Sequence, residues 1–254
     1  MAPGNLAALG ATAAAAKLHK FDIQTTAQAL GATSFLGPLA PFEAYIRGTG
    51  VKDTIMGWTN FIAINSVELT VCGFGGPVTA IEGDFGYCKA IAERYNLNKM
   101  FNGCGKIFEI VNTGIKPYAC CRQHHAAVDI ILELKKKYNL AAEDVETIID
   151  RTFLVASRGK EKKPTTIAGA KYSAPYIIAV ALTFGQVWRE QFTTHLINNS
   201  NIQSLASKVQ VKADKVLDAL YDEKWPSIIE ITTKKGQVLS ARRDLPKGEP
   251  EYPI

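Results

Sequence analysis

The ten residues from Lys116 to His125 read Lys-Pro-Tyr-Ala-Cys-Cys-Arg-Gln-His-His, and they hold two thiols, two imidazoles, a phenol, an ammonium and a guanidinium. A zinc site would usually need cysteines spaced C-x2-4-C, or histidines three to five apart on a helix. Here Cys120 and Cys121 are adjacent, as are His124 and His125, so neighbouring side chains diverge. A cysteine nucleophile would pair Cys120 with His124 as its base and would also need an oxyanion hole. A carboxylate site would use Lys116 and Arg122 as donors, with Arg122 able to bind in bidentate fashion. His124 would add a donor or a proton carrier. Cys120 would line such a site without crowding it. In the plainest alternative Cys121, one histidine and Tyr118 simply pack in a core. Ala126 to Lys137 turns to a helical pattern, so the segment sits at the entrance to a helix, where backbone N–H groups and the helix dipole favour anions.

Two more positions could do chemistry. Lys52, in Val51-Lys52-Asp53, precedes a helix expected from about Ile55, and its plain alternative is a solvated lysine. Tyr176 follows Ser173-Ala174-Pro175 at the amino end of a deeply apolar helix, where proline is tolerated in the first turn. Its phenol could donate to a ligand or move a proton, or it could be an ordinary amphipathic tyrosine.

The elements that would carry these residues change character along the chain. An alanine-rich helix is expected over Leu6–Leu18, and a second from Ile23 to about Thr33 with Asp22 as N-cap. Gly37-Pro38 and Pro41 mark a break. A helix over Ile55–Val71 ends at Gly73-Phe74-Gly75-Gly76-Pro77, and short helices are expected at Val78–Ile81 and Tyr87–Tyr95. From Lys106 the pattern mixes. Ile107–Asn112 alternates like a strand, a helix runs through Tyr138, and Glu146–Leu154 reads as a strand. Ser173–Phe184 is a helix stopped by Gly185, and Ile202–Lys208 is another, followed by a strand at Val209–Val211. Ile228–Thr233 and Gln237–Ala241 flank Lys234-Lys235-Gly236 as a hairpin. The expected fold is two-domain: a partial all-α helical bundle over residues 1–105, then an α+β domain over 106–245 with helices on one face of a mostly antiparallel sheet. Residues 246–254, rich in proline, read as a linker or exit segment.

The bulk composition narrows the classes. The chain has 254 residues, 47% of them apolar and 21% charged, as in ordinary globular proteins. A net charge of +5 is mild, and the basic cluster at Arg158, Lys160, Lys162 and Lys163 is most simply a solvated loop, so no nucleic-acid partner is expected. No apolar stretch is long enough to suggest a membrane span, and no secretory signal is visible. Five cysteines without framework spacing suggest reduced thiols. The expected location is the cytoplasm, or the mitochondrial matrix if a targeting segment precedes the sequence.

Taken together the segments resemble the MmgE/PrpD family. The resemblance is carried by Ala11–Lys17 with Asp22, Ala27-Gln28-Ala29-Leu30-Gly31, Val51-Lys52-Asp53 with Gly57, and Gly73-Phe74-Gly75-Gly76-Pro77. It continues through Glu82-Gly83 with Phe85-Gly86, Lys116-Pro117-Tyr118-Ala119-Cys120-Cys121-Arg122 with His124, Tyr172-Ser173-Ala174-Pro175-Tyr176, and Pro246-Lys247-Gly248. That family includes 2-methylcitrate dehydratase, cis-aconitate decarboxylase and iminodisuccinate epimerase. The resemblance implies a helical bundle with a smaller α+β lid and an active site in the cleft between them. It implies cofactor-free and metal-free chemistry, in which a proton is removed beside a carboxylate of a small di- or tricarboxylate. Lys52 and Tyr176 fall on family active-site positions. Cys120 falls where animal cis-aconitate decarboxylases carry a catalytic histidine and dehydratase-like members carry cysteine, which points away from decarboxylation. Catalytic roles are thereby expected for Lys52, Tyr176, Cys120 and His124, and substrate binding for Lys116 and Arg122. The match falls on the middle of a family chain. The expectation is therefore a lyase or isomerase completed by a second copy or by a chain carrying the rest of the helical domain. The alternative is an inactive paralogue that only binds carboxylates or a protein partner.

Overall fold

The computed structural model describes residues 4–37, 43–46 and 48–254. The break expected at Pro38 and Pro41 lies outside the described residues. The chain forms two compact units, the first over 1–45 and 50–107, the second over 46–49 and 108–254.

The first unit is helical. Helices α1 (Gly4–Leu18) and α2 (Ile23–Leu36) are followed by a short helix α3 (Glu43–Ile46). Asp22 caps α2 by accepting from the Thr25 N–H. Helix α4 (Ile55–Val71) packs against both α1 and α2. Small side chains make this close approach possible: Ala15, Ala29 and Val67 form the local apolar core. Gly31 and Gly76 nearly touch, since a Cβ on Gly76 would lie 2.3 Å from the Ala32 nitrogen. Two short helices, α5 (Tyr87–Ile91) and α6 (Leu97–Met100), complete the unit. Val78–Ile81, expected as a helix, forms turns instead. Pro77 and Gly83 punctuate it too tightly for a helix, with Ala80 N–H donating to the Pro77 carbonyl and Gly83 N–H to that of Thr79. Helix α5 also stops at Ile91, four residues short of Tyr95.

The second unit is α+β. Ile107–Asn112 is not the expected strand. Glu109–Asn112 is an exposed 3-10 turn, because alternating apolar residues without a neighbouring strand have nothing to pair with. Helix α7 (His125–Tyr138) leads to β1 (Val145–Thr152), the short helices α8 (Leu154–Ser157) and α9 (Ile167–Ala170), and the apolar α10 (Ala174–Phe184). Then come α11 (Thr194–Ile197), α12 (Ser200–Ser207), β2 (Val209–Ala213), α13 (Lys215–Asp218), β3 (Ser227–Thr233) and β4 (Val238–Arg243). The sheet order is β2-β1-β3-β4, with β1 parallel to β2 and the other pairs antiparallel. Gly236, at φ +81°, makes the β3–β4 turn.

One row of the sheet runs through Val209, Ile148, Ile231 and Leu239, which sit directly opposite one another. This row joins Ile130 and Ile131 of α7 and Ile177 and Ile178 of α10 in a single buried core. Residues 246–252, expected as a linker, are built into this unit. Gly248 accepts from the Ile115 N–H, and Lys247 N–H donates to Asp129 on α7. The five cysteines form no disulfide, and no helix among the described residues is long and apolar enough to cross a membrane.

Candidate functional site

Three elements of the second unit hold the Lys116–His125 segment by its backbone. Ile115 N–H donates to Gly248, Ala119 N–H to Val187 and Cys121 N–H to Lys171. The chain then tightens through a 3-10 turn at Arg122–His124 into α7. Lys116 stands exposed at the start of this segment, and its charge is felt at both Cys120 and His125.

Cys120 is buried and belongs to the same apolar core as Tyr176 and Val128. Burial pushes its thiol well above the ordinary value of 9.0, with Lys116 pulling the other way, so it stays protonated at neutral pH. His124 and His125 are both buried. The His124 Nε2 lies 3.0 Å from the Tyr172 carbonyl, which can only accept, so Nε2 carries the proton. Its Nδ1 is a buried lone pair with no hydrogen-bond partner. Burial drives His124 down to about 4. His125 is driven down to about 3, by burial first and then by the Arg122 charge. Its Nε2 lies 3.3 Å from the Cys120 carbonyl and its Nδ1 3.3 Å from an Arg122 nitrogen. Both rings are therefore neutral.

Arg122 does not present an open fork. Its Nε donates to Glu249 Oε1 at 2.9 Å and one Nη to the same oxygen. The other Nη reaches the Lys247 carbonyl at 3.3 Å as well as His125. The two side chains keep only 13% and 16% of their exposure. Asp129 adds a second tie, accepting from the Tyr118 hydroxyl at 2.5 Å and from the Lys247 N–H at 2.7 Å. Burial and Asp129 together raise the Tyr118 phenol. Neither Glu249 nor Asp129 was marked by the sequence reading. Glu249 is distant in sequence and its surroundings are merely proline-rich, whereas Asp129 sits on the apolar side of α7 and is a signal that could have been weighed.

Tyr176 lies in the first turn of α10, below Ser173, whose hydroxyl accepts the Tyr176 N–H at 3.0 Å. It is buried, donates to the Gln191 carbonyl at 2.7 Å and is pushed up to about 12 by burial. Tyr176 and Cys120 share the one buried core, while Arg122, His124 and His125 gather at the start of α7. Lys52 belongs to the first unit, in a 3-10 turn (Gly50–Thr54) ahead of α4, with its Nζ 3.0 Å from an Asp53 oxygen. Among the described residues no group of three or more His, Cys, Asp and Glu side chains is placed to hold a metal ion.

Residues 118–254 match the model of the MmgE/PrpD C-terminal domain, which takes in Cys120, Arg122, His124, Tyr176 and the 246–252 segment. A curated relative is the cis-aconitate decarboxylase-like protein oryM of Aspergillus oryzae (strain ATCC 42149 / RIB 40), 25% identical over 124 residues. That alignment covers 45% of this chain and 26% of the relative, so the chain spans about a quarter of the relative's length. The family model covers more than half of the sequence, and the chain belongs to the MmgE/PrpD family.

Proposed function

We propose that this chain supplies the carboxylate-binding part of a lyase or isomerase that removes a proton beside a carboxylate of a small di- or tricarboxylate. The observation that carries this reading is the family match over residues 118–254, within which the segment following Lys116 is bonded through its backbone at Ala119 and Cys121. An exposed ammonium on a segment with a bonded backbone suits a substrate carboxylate, whose charge grows as the neighbouring proton leaves. The groups behind it support acid–base rather than thiolate chemistry, because Cys120 is a protonated thiol and both histidines are neutral. Lys52 is assigned a carboxylate or proton role on the resemblance alone. Tyr176 would have to leave the Gln191 carbonyl to carry a proton. The cysteine at 120 favours dehydration or epimerisation over decarboxylation. Full turnover would need a second copy or a complementing chain.

Arg122 favours a second function, binding without turnover, since its fork is taken by Glu249. Titration of the purified chain with citrate, 2-methylcitrate and aspartate, followed by NMR of the mixtures, tests both. Lys116→Ala and Lys52→Ala should each weaken carboxylate binding about tenfold. Absence of binding at millimolar concentrations, or two variants that bind like the wild type, would overturn the proposal. Binding with no product, alone or with an added family helical domain, would select the second function.

A further inference from the structure

We propose that Glu249 and Arg122 form a positioning pin rather than a substrate contact: together they lock residues 246–252 as a strap that fixes the backbone on either side of Lys116. This rests on the carboxylate-binding role proposed for Lys116.

The donors of Arg122 show why. Nε and one Nη go to Glu249, and the other Nη goes to the strap's own Lys247 carbonyl. The remaining neighbour, His125, is held as an acceptor because its Nε2 is used at the Cys120 carbonyl. A guanidinium with four of its five N–H donors directed at its own chain has little left to offer a ligand. The strap it holds packs directly on the Lys116 backbone. Gly248 accepts from the Ile115 N–H at 2.7 Å, and a Cβ on Gly248 would lie 1.9 Å from the Ile115 carbonyl oxygen and 3.1 Å from the Pro117 ring. Gly114 closes the same corner, since a Cβ there would meet Glu249 at 3.0 Å and Arg122 at 3.1 Å. Two glycines thus let strap and segment touch backbone to backbone, and the ion pair and Asp129 hold the strap in place.

A pin and a ligand contact differ in the sign of one measurement. Were Arg122 a substrate ligand, Glu249 would be its competitor, and Glu249→Gln would tighten binding. As a pin, Glu249→Gln should weaken citrate binding about tenfold at unchanged helix content, and Glu249→Asp should restore part of the loss. Because the pin acts through Lys116, Glu249→Gln should add nothing in a Lys116→Ala background. Hydrogen exchange at Ile115 should speed up at least tenfold in Glu249→Gln and in Arg122→Lys. Tighter citrate binding, an additive double variant, or unchanged exchange at Ile115 would each overturn the pin. If the wild type binds no citrate, the proposed function fails, and exchange at Ile115 still decides whether the strap is pinned.

Discussion

The two units bury their apolar side chains very differently. In the second, α7, α10 and the sheet close one continuous core, and Ile130, Ile131, Ile177 and Ile178 are wholly buried. In the first, the described interior is mostly alanine and threonine, with Val67, Ser66 and Cys88, while Trp58, Phe61 and Ile64 on α4 stay more than half exposed. The first unit therefore gains little from apolar burial within its own residues, and much of its stability must come from close helix contact and internal hydrogen bonds.

The contrast is broken most directly by truncating one large side chain in each unit. Ile178→Ala should destabilise the second unit by about 2–5 kcal/mol, since a buried methylene cluster is lost and a cavity remains. Phe61→Ala should change the first unit by less than about 0.5 kcal/mol, because the residue is 55% exposed and its ring stacks on Trp58, itself half exposed. Denaturant unfolding followed by hydrogen exchange assigns each loss to its unit. A loss at Phe61 as large as that at Ile178 would mean that the face of α4 is already covered in solution.

A smaller effect should separate the units by pH. Asp150 sits in the buried row of β1, with Ile229 and Val211 directly opposite and only the Ser227 hydroxyl donating to it, at 2.7 Å. Burial raises its carboxyl from 3.8 to about 6. A raised carboxylate contributes stability that is fully present below the unfolded value and is lost as the pH climbs through about 6. Asp150→Asn should therefore stabilise the second unit at pH 8 by up to about 3 kcal/mol, and by nearly nothing at pH 3. His124 and His125 act in the opposite direction. Held near 4 and 3, their stabilising share is present above 6.5 and lost as the pH falls from there. The two histidine shifts together outweigh that of Asp150, so the second unit should gain stability from about pH 4 and level off above about pH 7.5, and a melting temperature that falls between about pH 6 and pH 8 would sink the assignment.

The sequence disclosed these features unevenly. Where one local signal suffices, it was legible: Asp22 caps α2, Ser173 and Gly185 bracket α10, and Lys234-Lys235-Gly236 turns the hairpin. Alternation misled at Ile107–Asn112, because period-2 patterning makes a strand only where another strand waits beside it. The Lys116–His125 segment was visible by its residue types, yet the state of those types was not. A buried lone pair on His124, a neutral His125 and an occupied Arg122 all depend on partners at Tyr172, Cys120 and Glu249. Such long-range pairings leave no local trace, which is how a built strap came to read as a linker.

The smallest effect asks whether the thin interior of the first unit is nevertheless specific. Thr12 on α1 and Thr33 on α2 are buried and meet at 2.6 Å. Each hydroxyl also lies within reach of its own helix, at 2.9 Å from the Ala8 carbonyl and 3.1 Å from that of Ala29. Two protons cannot serve three bonds, so one threonine must donate to its helix while the other either donates across the interface or leaves that contact unmade. Thr12→Val removes the contact between the helices and leaves the Thr33 hydroxyl only its own Ala29 carbonyl, which should cost the first unit about 1 kcal/mol. Thr33→Val should cost a similar amount. The double variant should be less destabilised than the sum, because the contact between the two hydroxyls is lost only once. Additive losses would mean that each threonine is bonded only to its own helix, and that α1 and α2 hold together through alanine contacts alone.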